Sequence, residues 1–149
     1  MAEKQQFSTF YVDKLFFGVE VEKVQEVIRY QEMTRVPLAP PVVTGLINLR
    51  GQIVTAIDMR RRLDLRERVE ADLPMNVVIR HEDGAVSLLV DEIGDVLETE
   101  EETFELPPGT LSGEAQELTR GVYKLKDTLL IALDTDKLLN LATTPARGV

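Results

Sequence analysis

The sequence has no cysteine, no tryptophan and one histidine, His81, in 149 residues. Without cysteine there is no disulfide framework, thiol nucleophile, zinc–thiolate site or iron–sulfur cluster. Aromatics are scarce at 5% of the chain. No run of about 18 apolar residues exists that could span a bilayer as a helix. The opening residues Met1-Ala2-Glu3-Lys4-Gln5-Gln6 lack a basic stretch leading into an apolar one, so no signal peptide is expected. A soluble cytoplasmic protein is therefore the expectation. Positive charge is also short, with 17 Lys+Arg against 26 Asp+Glu and a formal net charge of -9. That balance argues against a general nucleic-acid binder, which needs clustered Lys and Arg for phosphates.

What the chain does have is 44% hydrophobic residues. A chain of this size can bury roughly 70% of its unfolded surface, so one domain can hold a core without metal or disulfide staples. The charge is divided unevenly. Residues 1–70 carry 11 basic and 10 acidic side chains, whereas residues 71–149 carry 6 and 16. The acidic surplus thus belongs to the second half.

Short β-branched or aromatic runs dominate the pattern, at 7–12, 16–21, 27–30, 46–49, 53–57, 77–79, 86–90, 122–125 and 129–133. Glu82-Asp83-Gly84 reads as a hairpin turn between two of them. Helical stretches are few: residues 58–69 and 134–141 each open on an Asp suited to an N-cap. Many short strands at regular spacing predict an all-β barrel or sandwich.

An internal repeat refines this. Residues 45–58, GLINLRGQIVTAID, lie on residues 121–134, GVYKLKDTLLIALD, without gaps, and Gly45/Gly121, Leu49/Leu125, Ala56/Ala132 and Asp58/Asp134 are identical. Upstream, residues 22–28 resemble 91–97. The offsets are 76 and 69, so the connection between the two blocks is seven residues longer in the second half. Two blocks in the same order indicate a tandem duplication of about 70 residues. Five of the eight aromatics (Phe7, Phe10, Tyr11, Phe16, Phe17) fall in the first two strands, which predicts a core shared between the halves.

Motifs for chemistry are absent. His81 stands alone before a turn, and no Gly-rich phosphate loop occurs. Residues 91–105 hold eight carboxylates and no base, without the spacing of a calcium loop. They read as a solvated acidic loop or an acidic face for a basic partner. Arg60, Arg61, Arg62, Arg66 and Arg68 read as an exposed helix with i,i+4 pairing to Asp64 and Glu67, or as a docking patch. Arg50 sits at the tip of a turn between apolar strands, either as a solvated turn residue or aimed at a partner.

The segments VQEV at 24–27, MTRVPLAP at 33–40, VTGLINLRGQIVTAIDMR at 43–60 and LLVDEIGDVL at 88–97 resemble the CheW family of chemotaxis coupling proteins. The resemblance covers about residues 6–141. It implies a mainly β fold of two SH3-like five-stranded β-barrel subdomains packed around a shared core, with short helices. The expected division is subdomain 1 at about 14–75, with the N-terminal strand open to sharing, subdomain 2 at about 76–141, and a flexible tail at 142–149. It also implies a non-enzymatic adaptor without cofactor. Its partners would be the cytoplasmic tip of methyl-accepting chemotaxis receptors and the regulatory domain of a CheA-type histidine kinase, with membrane reached only through receptors.

Carried over by position, the receptor-facing residues are Val21, Val24, Glu26, Gly45, Arg50, Val77, Ser87 and Val96. The kinase-facing ones are Val27, Met33 and Val36. The competing reading is a regulatory or ligand-binding module on the same duplicated barrels. Three departures from the family pattern stand out: Thr55 where Pro is frequent, Met59 where Leu is common, and Ser87 where Gly is frequent.

Overall fold

The computed structural model describes residues 4–69, 72–82, 84–109, 111 and 113–140. The tail expected at 142–149 lies outside them. Strands β1 (Lys4–Val12) and β2 (Leu15–Glu20) form a hairpin, and a 3-10 turn (Val21–Lys23) leads into β3 (Val24–Ile28). A second hairpin, β4 (Val43–Leu49) and β5 (Gln52–Asp58), runs into α1 (Met59–Arg62). Next come β6 (Met75–His81), β7 (Gly84–Val90) and β8 (Glu92–Glu100), then a 3-10 turn (Glu101–Thr103) and β9 (Phe104–Glu105). The chain closes with α2 (Gly113–Glu117), β10 (Thr119–Lys124), β11 (Leu129–Leu133) and α3 (Thr135–Leu139).

The strands make a six-stranded sheet, β8-β1-β2-β11-β10-β9, and a five-stranded sheet, β3-β6-β7-β5-β4. The fold is mainly β, with few short helices, as the strand pattern predicted. The division at 75/76 does not hold, because β6 and β7 pair with β3 and β5 in the five-stranded lobe. Register shows why. Moving by 69 residues carries the pair Phe10↔Ile93 onto Ile79↔Val24, with the two members exchanged between earlier and later strands. The parallel pair Thr55↔Val86 likewise has its counterpart in Ile131↔Phe17. The sequence repeats are real, but each repeat places its leading hairpin in the lobe built by the other. Repeat and lobe therefore do not coincide, and the chain crosses between lobes twice, at Val21–Lys23 and at Asp91.

Two elements differ from the pattern reading. The helix expected over 58–69 stops after Arg62, and Asp64 adopts a left-handed φ of 58°. The break has a cause in the side chains. Arg60 and Arg68 both reach Asp91, whereas residues eight apart on a continuous helix stand about 12 Å apart along its axis. The acidic stretch at 91–105 holds a nine-residue strand, β8, rather than a loop. Val96, Glu98 and Glu100 face outward, and Leu97 and Thr99 turn inward against β1.

The shared core joins both lobes. Phe10, Val12, Phe17 and Val19 from the first hairpin meet Ile57, Met59, Val77, Ile79 and Leu88 of the five-stranded lobe and Ile131, Leu133 and Leu138 of the six-stranded one. Each fully buried Phe or Leu contributes about 1.5–3 kcal/mol. Each lobe adds a smaller cluster: Ile47, Val54 and Leu89 in one, Phe7, Tyr123 and Leu130 in the other. Both helices that follow a β hairpin are capped alike. Asp58 accepts from the Arg60 amide at 3.0 Å and Asp134 from the Lys137 amide at 3.1 Å. Among the described residues, no helix is long and apolar enough to cross a membrane.

Candidate functional site

The first crossover is a single 3-10 turn with no buried residue. Its Val21 lines an open groove of about 740 Å³ together with Lys4, Gln5, Gln6, Glu20, Glu22 and Glu98. The crossover and the six-stranded lobe therefore border this groove. Val24 begins β3, half-buried against the shared core. On β8, Val96 is 58% exposed and stands two residues from Glu98 on the same outward face.

Glu26 and Arg50 meet. Leu49 pairs with Gln52, leaving Arg50 and Gly51 as a two-residue hairpin loop with φ of 52° and 90°. Two positive φ values describe a primed turn whose twist matches the strands. The Asn48 side chain accepts from the Gly51 amide at 2.9 Å and tightens it. From that tip the Arg50 guanidinium donates to the Glu26 carboxylate. This hydrogen bond, with the arginine's charge, holds the Glu26 carboxyl below its ordinary value, and Glu26 in turn raises Arg50. Beside it Gln25 donates to Gln52 at 3.2 Å. The two contacts draw β3 and the β4–β5 turn together, so opposite edges of the five-stranded sheet are stapled at one end. Arg50 is 74% exposed as a side chain and Glu26 21%, so the pair stays presented at the surface.

Three expected receptor residues lie buried in this chain. Val77 is fully buried in the shared core. Ser87 is fully buried, and its hydroxyl donates to the Asn76 side chain at 2.7 Å. Gly45 is buried against Thr34, whose carbonyl oxygen would lie 2.6 Å from any added Cβ. None of the three presents a side chain at the surface. Gly121 repeats the arrangement in the other lobe, where an added Cβ would meet the Phe104 ring at 2.3 Å. The identical glycines of the repeat are thus packing positions.

The expected kinase residues divide. Met33 and Val36 line a cleft of about 680 Å³ with Tyr30, Arg35 and residues 37–41, whereas Val27 does not line it and lies 37% exposed on β3. At the cleft's lip Leu38 is fully exposed with φ of 66°. Composition alone did not single it out; its signal is an apolar residue held in a run of prolines, Pro37-Leu38-Ala39-Pro40-Pro41.

The arginine run is neither an exposed i,i+4 ladder nor a free patch. Arg60 donates to Asp91 at 2.6 Å, Arg61 to the Pro41 carbonyl at 2.9 Å, and Arg62 to the Lys137 and Leu138 carbonyls at the end of α3 at 2.9 and 3.0 Å. His81 is half-buried at the end of β6 with its Nε2 3.7 Å from Glu82. Among the described residues, no three His, Asp or Glu side chains are grouped to hold a metal ion.

The family model of the CheW-like domain matches residues 6–143. The chain belongs to the CheW-like family. Among its relatives, the chemotaxis protein CheW of Treponema pallidum (strain Nichols) is 30% identical over 142 residues, covering 93% of this chain and 84% of that protein. The chemotaxis protein CheW of Bacillus subtilis (strain 168) is 30% identical over 131 residues, covering 88% and 84%. The crystal structure of the scaffolding protein TtCheW from Thermoanaerobacter tengcongensis superposes with a TM-score of 0.81 at 24% identity, covering 93% of this chain and 94% of that one. That likeness establishes the CheW-like two-lobed fold for the chain.

Proposed function

We propose that this CheW-like chain is a non-enzymatic chemotaxis scaffold that couples the cytoplasmic tip of methyl-accepting receptors to a CheA-type histidine kinase at receptor arrays. The observation that carries the reading is the Glu26–Arg50 pair presented at the surface, with Val24 two residues before Glu26 on β3, Val21 in the adjoining turn and Val96 exposed on β8. Apolar side chains flanked by an oriented charge pair suit an amphipathic helix, with the valines supplying contact area and the charges fixing its rotation. The kinase domain would take the separate cleft of Met33 and Val36, where Leu38 supplies an apolar knob. Separate faces let one chain hold both partners, and an array multiplies weak contacts by avidity. The chain contributes position rather than chemistry, and kinase output changes by population shift.

The test measures binding of a receptor cytoplasmic fragment and of the kinase regulatory domain to Arg50→Glu and Leu38→Asp. Arg50→Glu should weaken the receptor fragment by about tenfold, a loss of about 1.4 kcal/mol, and spare the kinase domain. Leu38→Asp should do the reverse. Unchanged binding of both partners in both variants would sink the assignment.

A further inference from the structure

The two crossovers occupy equivalent places in the duplicated fold but are built differently. Asp13 and Glu82 are equivalent turn residues, 69 apart, and both have left-handed φ, 58° and 51°. Asp91 and Glu22 are likewise equivalent, as are Arg60 and Asp136 under the offset of 76. At the second crossover these groups close on one another. The Asp13 amide donates to Asp91 at 2.6 Å, the Asp91 amide donates to the Tyr11 carbonyl at 2.9 Å, and Arg60 and Arg68 both hold the Asp91 carboxylate. The side chains of Asp91, Arg60 and Arg68 are only 17%, 11% and 10% exposed.

At the first crossover the arginine's counterpart is the acid Asp136, and among the described residues no buried carboxylate clasp forms; Arg80 of β6 instead donates to the Glu22 and Val24 carbonyls at 3.0 and 2.9 Å. A cavity of about 310 Å³ opens there, lined by Glu22, Lys23, His81, Glu82 and Asp136 among others. Here exposed contacts hold the crossover to the six-stranded lobe. Glu20 stands 3.4 Å from Lys23 and 3.6 Å from Arg120, whose side chains are 38% and 35% exposed, and Lys23 reaches Thr135 at 3.0 Å. The six residues of β2 separate the two crossovers by about 20 Å.

We propose that the two lobes form a one-sided hinge, pivoting on the Asp91 clasp and parting along the Val21–Lys23 crossover, so that the cavity between His81 and Glu82 of one lobe and Thr135 and Asp136 of the other is what changes width. The shared core between the crossovers confines the motion to a small rotation. Hydrogen-bonded guanidinium–carboxylate contacts with little solvent access resist screening, whereas exposed pairs weaken with salt. The hinge is therefore a property of the chain alone, independent of what occupies the cavity.

The cysteine-free chain allows clean pairwise spin labelling. One pair, Gly84→Cys with Asp136→Cys, spans the open crossover; the other, Lys14→Cys with Glu67→Cys, spans the clasp. Distance distributions are recorded as NaCl rises from about 0.05 M to about 1 M. The first pair should broaden and shift to longer distance while the second stays fixed. Lys23→Met, which removes the ammonium between Glu20 and Thr135, should produce the same broadening at low salt. Two unchanged distributions overturn the proposal, and so does broadening at the clasp first or at both pairs together.

Discussion

At the level of single residues, the interior differs between the repeats in a way that one substitution can read. Ser87 and Gly18 are equivalent positions, and Asn76 and Phe7 on their neighbouring strands are equivalent as well. In one lobe Gly18 leaves room for the Phe7 side chain, whose Cβ would lie 3.1 Å from an added Cβ. In the other a polar pair replaces them: Ser87 donates to the Asn76 oxygen, and the Asn76 amide donates to the Arg29 carbonyl at 2.9 Å. Asn76 is fully buried, so removing its donor strands an acceptor away from water. Ser87→Gly, although it restores the residue frequent in the family, should cost about 1–3 kcal/mol in a denaturant titration. Arg50→Asn should behave differently. Asparagine tolerates the left-handed φ at a primed turn better than arginine does, so the unfolding midpoint should hold or rise while receptor binding falls. A large loss of stability in Arg50→Asn would show that the Glu26–Arg50 staple is needed for the fold. The sequence showed Arg50 at a turn tip, but not its partner: Glu26 is 24 residues away on β3, an edge strand paired with β6.

Elements were legible where pattern is local and were lost where charge or long-range contact decides. The strands around hairpin turns and the aspartate caps on α1 and α3 could be read, because alternation, turn residues and capping act within a few positions. Strand β8 could not, since an edge strand with one wet face tolerates carboxylates that composition reads as loop. The shortness of α1 was hidden because Asp91, 31 residues from Arg60, draws the arginines out of helical alignment. The Asp91 clasp also has an acid signature. Burial alone would raise its carboxyl, but hydrogen bonds from Arg60, the Asp13 amide and Arg68 outweigh burial and leave the pKa lowered. A folded-state pKa below the unfolded value near 4 gives stability that is complete above that value and lost as pH falls through the folded one. Asp91→Asn should therefore lower the melting temperature at neutral pH and flatten the decline of stability below about pH 4. An equally steep acid decline in Asp91→Asn would assign that sensitivity to other carboxylates.

For the molecule as a whole, the duplication was visible in the sequence, yet the lobes it builds were not. Offsets of 69 and 76 align the two repeats, and nothing local in either one reports that β1–β2 pairs with β8 and β11 while β6–β7 pairs with β3 and β5. Each repeat leaves its own sheet incomplete. A fragment ending before Met75 would hold β1–β2 without the β8 and β11 partners, and β3 to β5 without β6 and β7 between them. Open edges and half of a shared core cannot offset the entropy of ordering some seventy residues, about 1–2 kcal/mol each for the backbone. Cutting the chain between Asp72 and Leu73 should thus give two pieces that are each unfolded by circular dichroism and amide dispersion. Mixed at equal concentration, they should reassemble into one folded complex. Independent cooperative folding of either piece would mean that a repeat can satisfy its own strands, and the exchanged hairpins would then be dispensable. Obligatory exchange also bears on the uneven charge. The six-stranded lobe draws its strands from both ends of the chain, so the acidic surplus of the second half becomes a property of one lobe's outer face, opposite a nearly neutral partner lobe. Two like folds with unlike surfaces suit a scaffold whose ends meet different neighbours.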